Sequence, residues 1–473
     1  MSPGSAARLA LFALLLRAPV LAESLGSMLI FGDDFEFGDT GDWSAAAPPR
    51  CDAIRPFDRD VLPSAFLHVA PPPTGHDSTG DGSPGAPFAS IEHAASLAGP
   101  GTAIRLSPGV HAPDQFVGDL AGTAIGPVWI GGEPGRLPKP VISGGSEALH
   151  LGRAKWVVVH DLEIHSSTAN GINADDGGET ANPLASHHLV FRRLAIHDIG
   201  TGGNNDCLKL SGIDDFWVLD SAIARCGGGT SGSGIDCVGC HDGMIARNRF
   251  DETSGNAVQA KGGSADLELR WNHLVSPGAR GFNLGGSTGF AFFRPPLSTS
   301  VANAEARRIE AIGNLIVGGD TPFAFVGCVD CVAAHNTLVN PATWLMRILQ
   351  ETTSAGGFPF EPAANGQVVN NLFYFEDGDI STHVNIGPNT APATFGFAHN
   401  LWFAWDSPGA STPTLPAVEA GGIYGQNPQL APDGQIPGTS PAVGAGTAQA
   451  WLTGDRLGRC YDSPPAIGAY EAP

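Results

Sequence analysis

Apolar and polar residues alternate along this chain in runs of about four to eight, broken by glycine, proline, asparagine and aspartate. Such period-two runs predict strands with one face buried and the other turned outward. The three-to-four spacing of an amphipathic helix is almost absent. The clearest exception, ASIEHAASLA (residues 89–98), covers only about three turns.

The runs also repeat. One phrase sets an asparagine between apolar residues: IARNRF (Asn248), LRWNHL (Asn272), AIGNLI (Asn314), AAHNTL (Asn336), VVNNLF (Asn371) and FAHNLW (Asn400), at intervals of about 22 to 42 residues. Earlier units, VVVHDLEI, LVFRRLAI and FWVLDSAI, keep the apolar frame without the asparagine. A second phrase alternates with the first: NGINADDGG, NDCLKLSGI, SGIDCVGCH, NAVQAKGGS, RGFNLGGST, AFVGCV, LMRILQET and HVNIGPNT. Two strand phrases per unit, with short turns and no helix between, predict a stacked parallel solenoid in which neighbouring coils bury one continuous core. Asparagines recurring at one turn predict a side-chain ladder up the stack.

Composition narrows the function. The chain carries 47 Asp+Glu against 25 Lys+Arg, a formal net charge of -22, which argues against nucleic acid as a partner but allows an anionic ligand at a local positive patch. Arg8, the apolar run from Leu9 to Leu16 and the small-residue site at Val20–Ala22 read as a secretory leader, so a secreted or periplasmic protein is expected, without a membrane span and as a monomer. Export permits disulfides among the eight cysteines, and Cys226 with Cys237 or Cys240 is the expected pairing. CVGC and CVDC stand too far apart, on strand-like segments, to favour a zinc site.

With the repeat and the ends in view, the chain resembles the right-handed parallel β-helix superfamily of secreted carbohydrate-active proteins. Residues 78–111 resemble that superfamily's first coil with its capping helix, and residues 440–471 its last coil. The resemblance implies an all-β parallel β-helix with a short capping helix and an asparagine ladder. The expected division is a leader (1–22), an extension packing on or near the helix (23–62), the β-helix (63–439) and a C-terminal coil or cap (440–473).

Aligned coil by coil, the second phrase puts Asn173, Lys209, Asp236, Gln259, Asn283, Phe325, Arg347 and Asn385 in one outward column. A parallel column reads Asp175, Ser211, Val238, Lys261, Gly285, Gly327, Leu349 and Gly387. Asp206, His241 and Arg280 are expected to flank them. A groove mixing carboxylates and cations suits an acidic polysaccharide. A lyase must neutralise the uronate carboxylate and remove the proton beside it. Lys261 is the expected base, with the two glycines after it opening space, and Lys209 and Arg280 as catalytic partners and His241 as a weaker acid or base. Asp175, Asp206 and Asp236 are candidate Ca²⁺ ligands. Gln259, Asn283, Arg294 and Arg347 are candidate substrate contacts. Trp344, Trp402 and Trp405 are read as packing between coils, with sugar stacking as the alternative.

The stretch around Lys261 is similar to the alginate lyase and chondroitinase B family, in which a lysine ends a groove strand and an arginine follows on the next coil. Lys261 matches that lysine and Asn272 the ladder position, but the arginine's place falls near Gly285. Arg280 or a later arginine would substitute, or the chemistry would resemble that of pectate lyases, which combine a basic residue with calcium. Glycoside hydrolysis, uronate epimerisation and non-catalytic glycan binding remain open alternatives, although the GHG and RIK phrases of polygalacturonases are missing.

Overall fold

The computed structural model describes residues 51, 53–200, 202–228, 231–449 and 452–473; the expected leader and most of the extension lie outside them. The strands form three parallel sheets of 14, 10 and 12 strands, each coil contributing about one strand to each sheet. The chain is thus a right-handed parallel β-helix. The first sheet runs from Ala65–Val69 to Glu419–Ala420, and the second from Val110–His111 to Ile423–Tyr424. The third, from Gln115–Gly118 to Thr382–Ile386, carries the outward columns.

Inward residues of all three sheets meet in one core, from Val69 and Ile104 through Phe216, Phe250 and Phe282 to Phe373 and Trp402. The only α-helix among the described residues, Ile91–Leu97, covers the N-terminal end of that core. Ser90 caps it through an Oγ that accepts from the His93 N–H, and Ile91, Ala94 and Ala95 are its buried face.

The asparagine ladder occupies the corner between the first and second sheets. Oδ1 of Asn272 accepts from both the backbone N–H of Asn248 (3.0 Å) and its Nδ2 (3.1 Å). The same pair of bonds recurs from Asn272 to Asn314, Asn314 to Asn336, Asn336 to Asn371 and Asn371 to Asn400. Ser221 extends the ladder at one end and Glu419 closes it at the other. Each asparagine satisfies its neighbour's buried amide, which an apolar residue at that turn could not do.

Ion pairs across neighbouring coils were not evident from the repeat phrases. At several separate turns and strand positions an Asp and an Arg in left-handed conformation pair through at least two hydrogen bonds: Asp119 with Arg153, Asp161 with Arg193, Asp198 with Arg225, Asp220 with Arg247, and Asp266 with Arg308. Five of the chain's 21 arginines are committed here.

The ends pack along the helix. Phe57 lies edge-on to Trp156 and Trp217 on the outer face of the first sheet, and Asp58 pairs with Arg192 at 2.6 Å. Residues 430–445 and 466–467 pack over outward apolar side chains of the second sheet. Ile436, Ala442 and Ile467 bury against Leu372, Leu401 and Phe403 there. Disulfides join Cys51 to Cys460, Cys207 to Cys226, and Cys328 to Cys331. The expected partner of Cys226 is therefore corrected to Cys207, and Cys237 and Cys240 are buried thiols. Cys207 immediately precedes the strand Leu208–Ser211, and across the core it faces the end of Ala222–Cys226, a proximity that sequence spacing does not reveal.

Candidate functional site

The third sheet confirms most of both columns and corrects one coil. Asn173 pairs in register with Lys209, Lys209 with Asp236, Asp236 with Gln259, and Gln259 with Asn283. Asn283 then pairs with Ala324, not Phe325, and Ala324 with Arg347; in the second column Val326 stands where Gly327 was expected. All of Phe323–Val326 is buried, so apolar alternation gave no inside or outside at this coil, and the bulky Phe323 and Phe325 take the core. The first column also runs further back, to His150 and Phe116.

At the middle of this sheet lies a groove of about 700 Å³. Lys209 and Lys261 face it from the strands Leu208–Ser211 and Asn256–Lys261, with Asp206 and Asp236 buried behind them. Lys209 forms a tight ion pair with Asp236 Oδ2 and stands 3.5 Å from Asp206 Oδ2. Lys261 Nζ is 3.5 Å from the same Asp236 oxygen and donates to Gln259 Oε1 at 3.1 Å. Burial, reinforced by the charge of Asp236, pushes the Asp206 carboxyl up to about 7. Burial opposes the charge on Lys209, but Asp236 and Asp206 outweigh it and hold its ammonium above the ordinary lysine range. Lys209 is therefore a permanent cation at neutral pH.

The three aspartates expected to bind calcium do not converge. Oδ2 of Asp206 and of Asp236 both meet the Lys209 ammonium, which fills the space a cation would need. Asp175 accepts from His150 Nε2 at 2.8 Å and from the Gly177 N–H instead. Among the described residues, no group of three or more His, Cys, Asp or Glu side chains is placed to hold a metal. This donor set does not fit calcium.

Back along the sheet, the groove changes character. His150 sits between Asp175 and Glu147, whose Oε2 is 3.1 Å from its Nδ1. Hydrogen bonds to these two carboxylates raise the imidazole to about 9, so it is charged at neutral pH. Desolvation works against the charge of Asp175 and Glu147, yet the contact with His150 keeps both below the usual carboxylate range. Phe116 lies edge-on to His150, with ring centres 4.9 Å apart. Sequence reasoning missed Phe116, Glu147 and His150; LHLG shares the apolar-x-apolar frame of INAD and LKLS, whereas in QFVG the polar Gln115 takes the first inward place and hides the frame.

One wall of the groove is the connection between Arg280–Gly285 and Ala306–Ile312. It folds back until Arg294 reaches Asp176, 118 residues away, with Nε and Nη2 donating at 2.8 and 2.9 Å. Glu305, fully buried, holds the same loop through Thr288, Thr352 and the Gly262 N–H. Gly262 and Gly263 do not open space, as the sequence suggested; a side chain on Gly263 would strike the Arg294 carbonyl at 2.3 Å, and both glycines take positive φ. Their small size lets the wall dock.

Other residues singled out in the sequence lie elsewhere or are engaged. His241 belongs to the first sheet, between Asp214 Oδ1 (2.6 Å) and the Gly263 carbonyl. Arg280 bridges Asn283 and Glu351, and Arg347 lies over the Trp344 ring and donates to Asn385. His241, Arg280, Asn283, Arg347 and Gln259 do not line the groove, whereas Arg294 does. Trp402 is buried and stacked on Phe373, and Trp405 donates to Asn340.

No family model and no curated protein matches the chain. Among solved structures it is similar to the pectate lyase Pel9A, with a TM-score of 0.53 and 14% identity over 88% of this chain and 98% of that one. Weaker likenesses are to a GH136 lacto-N-biosidase from Eubacterium ramulus (TM-score 0.49, 14% identity, 76% and 68% of the two chains) and an alginate lyase from Paenibacillus sp. str. FPU-7 (0.41, 15%, 70% and 99%). The likeness to Pel9A shows a shared fold, and no described helix is long and apolar enough to cross a membrane.

Proposed function

We propose that this protein is a secreted lyase that cleaves a uronate-containing polysaccharide in the groove of the third sheet, with Lys261 as the base. One observation carries the reading. Two lysines face one groove and share a single buried carboxylate, while Arg280, Arg294 and Arg347 are engaged by other side chains. Lys209 takes the tight contact with Asp236 and stays charged, which suits it to meet the uronate carboxylate and stabilise the charge that develops there. Lys261 holds Asp236 more loosely and reaches into the same groove.

In the proposed step, Lys261 reacts as its neutral amine, and the proton on the carbon beside the carboxylate passes to the Nζ lone pair, leaving the ammonium facing Asp236. The electron pair of that C–H bond forms the new carbon–carbon double bond. The bond to the glycosidic oxygen breaks with its pair on oxygen, which takes a proton from water in the open groove. Asp206 and Asp236 are too buried to touch substrate and act on the lysines. This favours elimination over hydrolysis, which needs two carboxyl groups flanking the scissile bond.

The test is a panel of uronate polysaccharides followed by the ultraviolet absorbance of the unsaturated product, with and without chelator. A rise in absorbance that persists in chelator is expected. New reducing ends without absorbance would replace this reading with hydrolysis.

A further inference from the structure

The groove is electrically two-ended. One end presents Lys209 and Lys261. The other presents Asp175, with Glu147 and His150 behind it: two carboxylates against one imidazolium, a net negative cluster. Arg294 and Arg153 lie close by but do not reverse that sign. Each faces an aspartate through two hydrogen bonds, Arg294 with Asp176 and Arg153 with Asp119, and the remaining Arg294 Nη1 donates to the Phe292 carbonyl. Both ring nitrogens of His150 are likewise taken. This end therefore offers acceptors to hydroxyl or ammonium groups, while each of its cations is turned to a carboxylate: His150 to Asp175 and Glu147, Arg294 to Asp176, and Arg153 to Asp119.

The same end carries two solvent-facing aromatic side chains. Phe116 and Phe292 line the groove and are 53% and 61% exposed, an unusual exposure for phenylalanine that suits the apolar face of a pyranose ring. Asp175 lies one coil from the strand that carries Lys209 and Ser211 and three coils, about 14 Å by the coil rise, from Lys261, so linked sugars would lie against both ends at once.

We propose that Phe116, Asp175 and Phe292, with His150 and Glu147 behind them, form a subsite for a neutral or amino sugar. It lies next to the uronate held by Lys209 and Lys261, and it rejects a second uronate. The preferred substrate is then a mixed chain of uronate and uncharged or amino sugar, rather than a homouronan. A uronate in this subsite would set its carboxylate against Asp175, while the nearest cations, Lys209 one coil away among them, already face carboxylates, so the like-charge contact lowers affinity.

This rests on the lyase reading of the same groove, and binding separates the two. Using Lys261→Ala to prevent turnover, calorimetry would compare oligosaccharides of hyaluronan, chondroitin and rhamnogalacturonan with those of polygalacturonate, polymannuronate and polyguluronate. At least one mixed oligosaccharide is expected to bind ten-fold or more tighter than every homouronan. Asp175→Asn should shrink that ratio several-fold, and Phe292→Ala, at an exposed position, should weaken the mixed chain without changing the ratio's sign. Equal binding, preference for a homouronan, binding to neither class, or a ratio unmoved by Asp175→Asn overturns the subsite. Mixed-chain preference without unsaturated product from the wild-type protein keeps the subsite and overturns the lyase.

Discussion

The asparagine corner and the groove column are built by the same coils, yet they solve opposite problems. At the corner one residue type recurs, and each copy's donors and acceptors are met by the next, so the stack is self-satisfying. Along the outward column of the third sheet, Phe116, His150, Asn173, Lys209, Asp236, Gln259 and Asn283 succeed one another in register. There the buried atoms Asp236 Oδ1 and Asn283 Nδ2 lack a hydrogen-bond partner, and Asp206 Oδ2 has only the Lys209 ammonium at 3.5 Å. Unmet polar groups are costly in a buried setting. Buried atoms without a partner also occur elsewhere, as at His111, Arg270 and His335, so what sets this sheet apart is that the Asp206 and Asp236 carboxylates lie beside two groove-facing lysines.

The sharpest break of this comparison is Lys261→Ala. Product formation should fall by about 10²–10⁴-fold, while circular dichroism and the melting temperature stay near wild type, because a single largely covered side chain at the end of its strand leaves the groove and no backbone pairing is lost. The ladder should behave in reverse. Asn314→Ala strips partners from Asn272 and leaves the Leu269 carbonyl unmet, so chemical denaturation should show a loss of about 2–4 kcal/mol with activity per folded molecule retained.

Asp206 offers an intermediate effect with a definite sign. Its native carboxyl is raised to about 7 against about 4 when unfolded, so between those values the native state binds the extra proton. Stability should therefore fall as pH rises from about 4 to 7, by on the order of a few kcal/mol, with the cost fully present above 7. Denaturation of Asp206→Asn should lack that slope. The contribution of His150 falls later: its raised pKa adds stability below about 6.5 that fades as pH climbs through about 9. The smallest effect is expected at the outer pair of Asp266 and Arg308, where both side chains are substantially exposed. Arg308→Ala should cost no more than about 1 kcal/mol, and less in high salt.

The solenoid and its ladder were legible because coil after coil restates the same local rule. The groove was legible where polar and apolar residues contrast, as in LKLS, and illegible where they do not, as in FAFV. The lysine in NAVQAK ends an outward column as its alternation implies, but the meaning of the two glycines after it came out inverted: they admit the wall loop instead of leaving a void. Likewise Arg294 looked like a substrate contact until its guanidinium was found bound to Asp176.

The sequence by itself determined the coil, its stacking, the ladder and the placement of Lys209, Asp236 and Lys261 in register, since period-two alternation and parallel pairing carry each residue to a fixed place on a neighbouring coil. Only the tertiary structure decided which charges are left to meet a ligand. Ion pairs such as Arg294 with Asp176, bridges such as Cys207 with Cys226, and the aromatic wall of Phe292 join segments whose approach depends on how loops fill the space between coils. Strand periodicity carries no information about that filling.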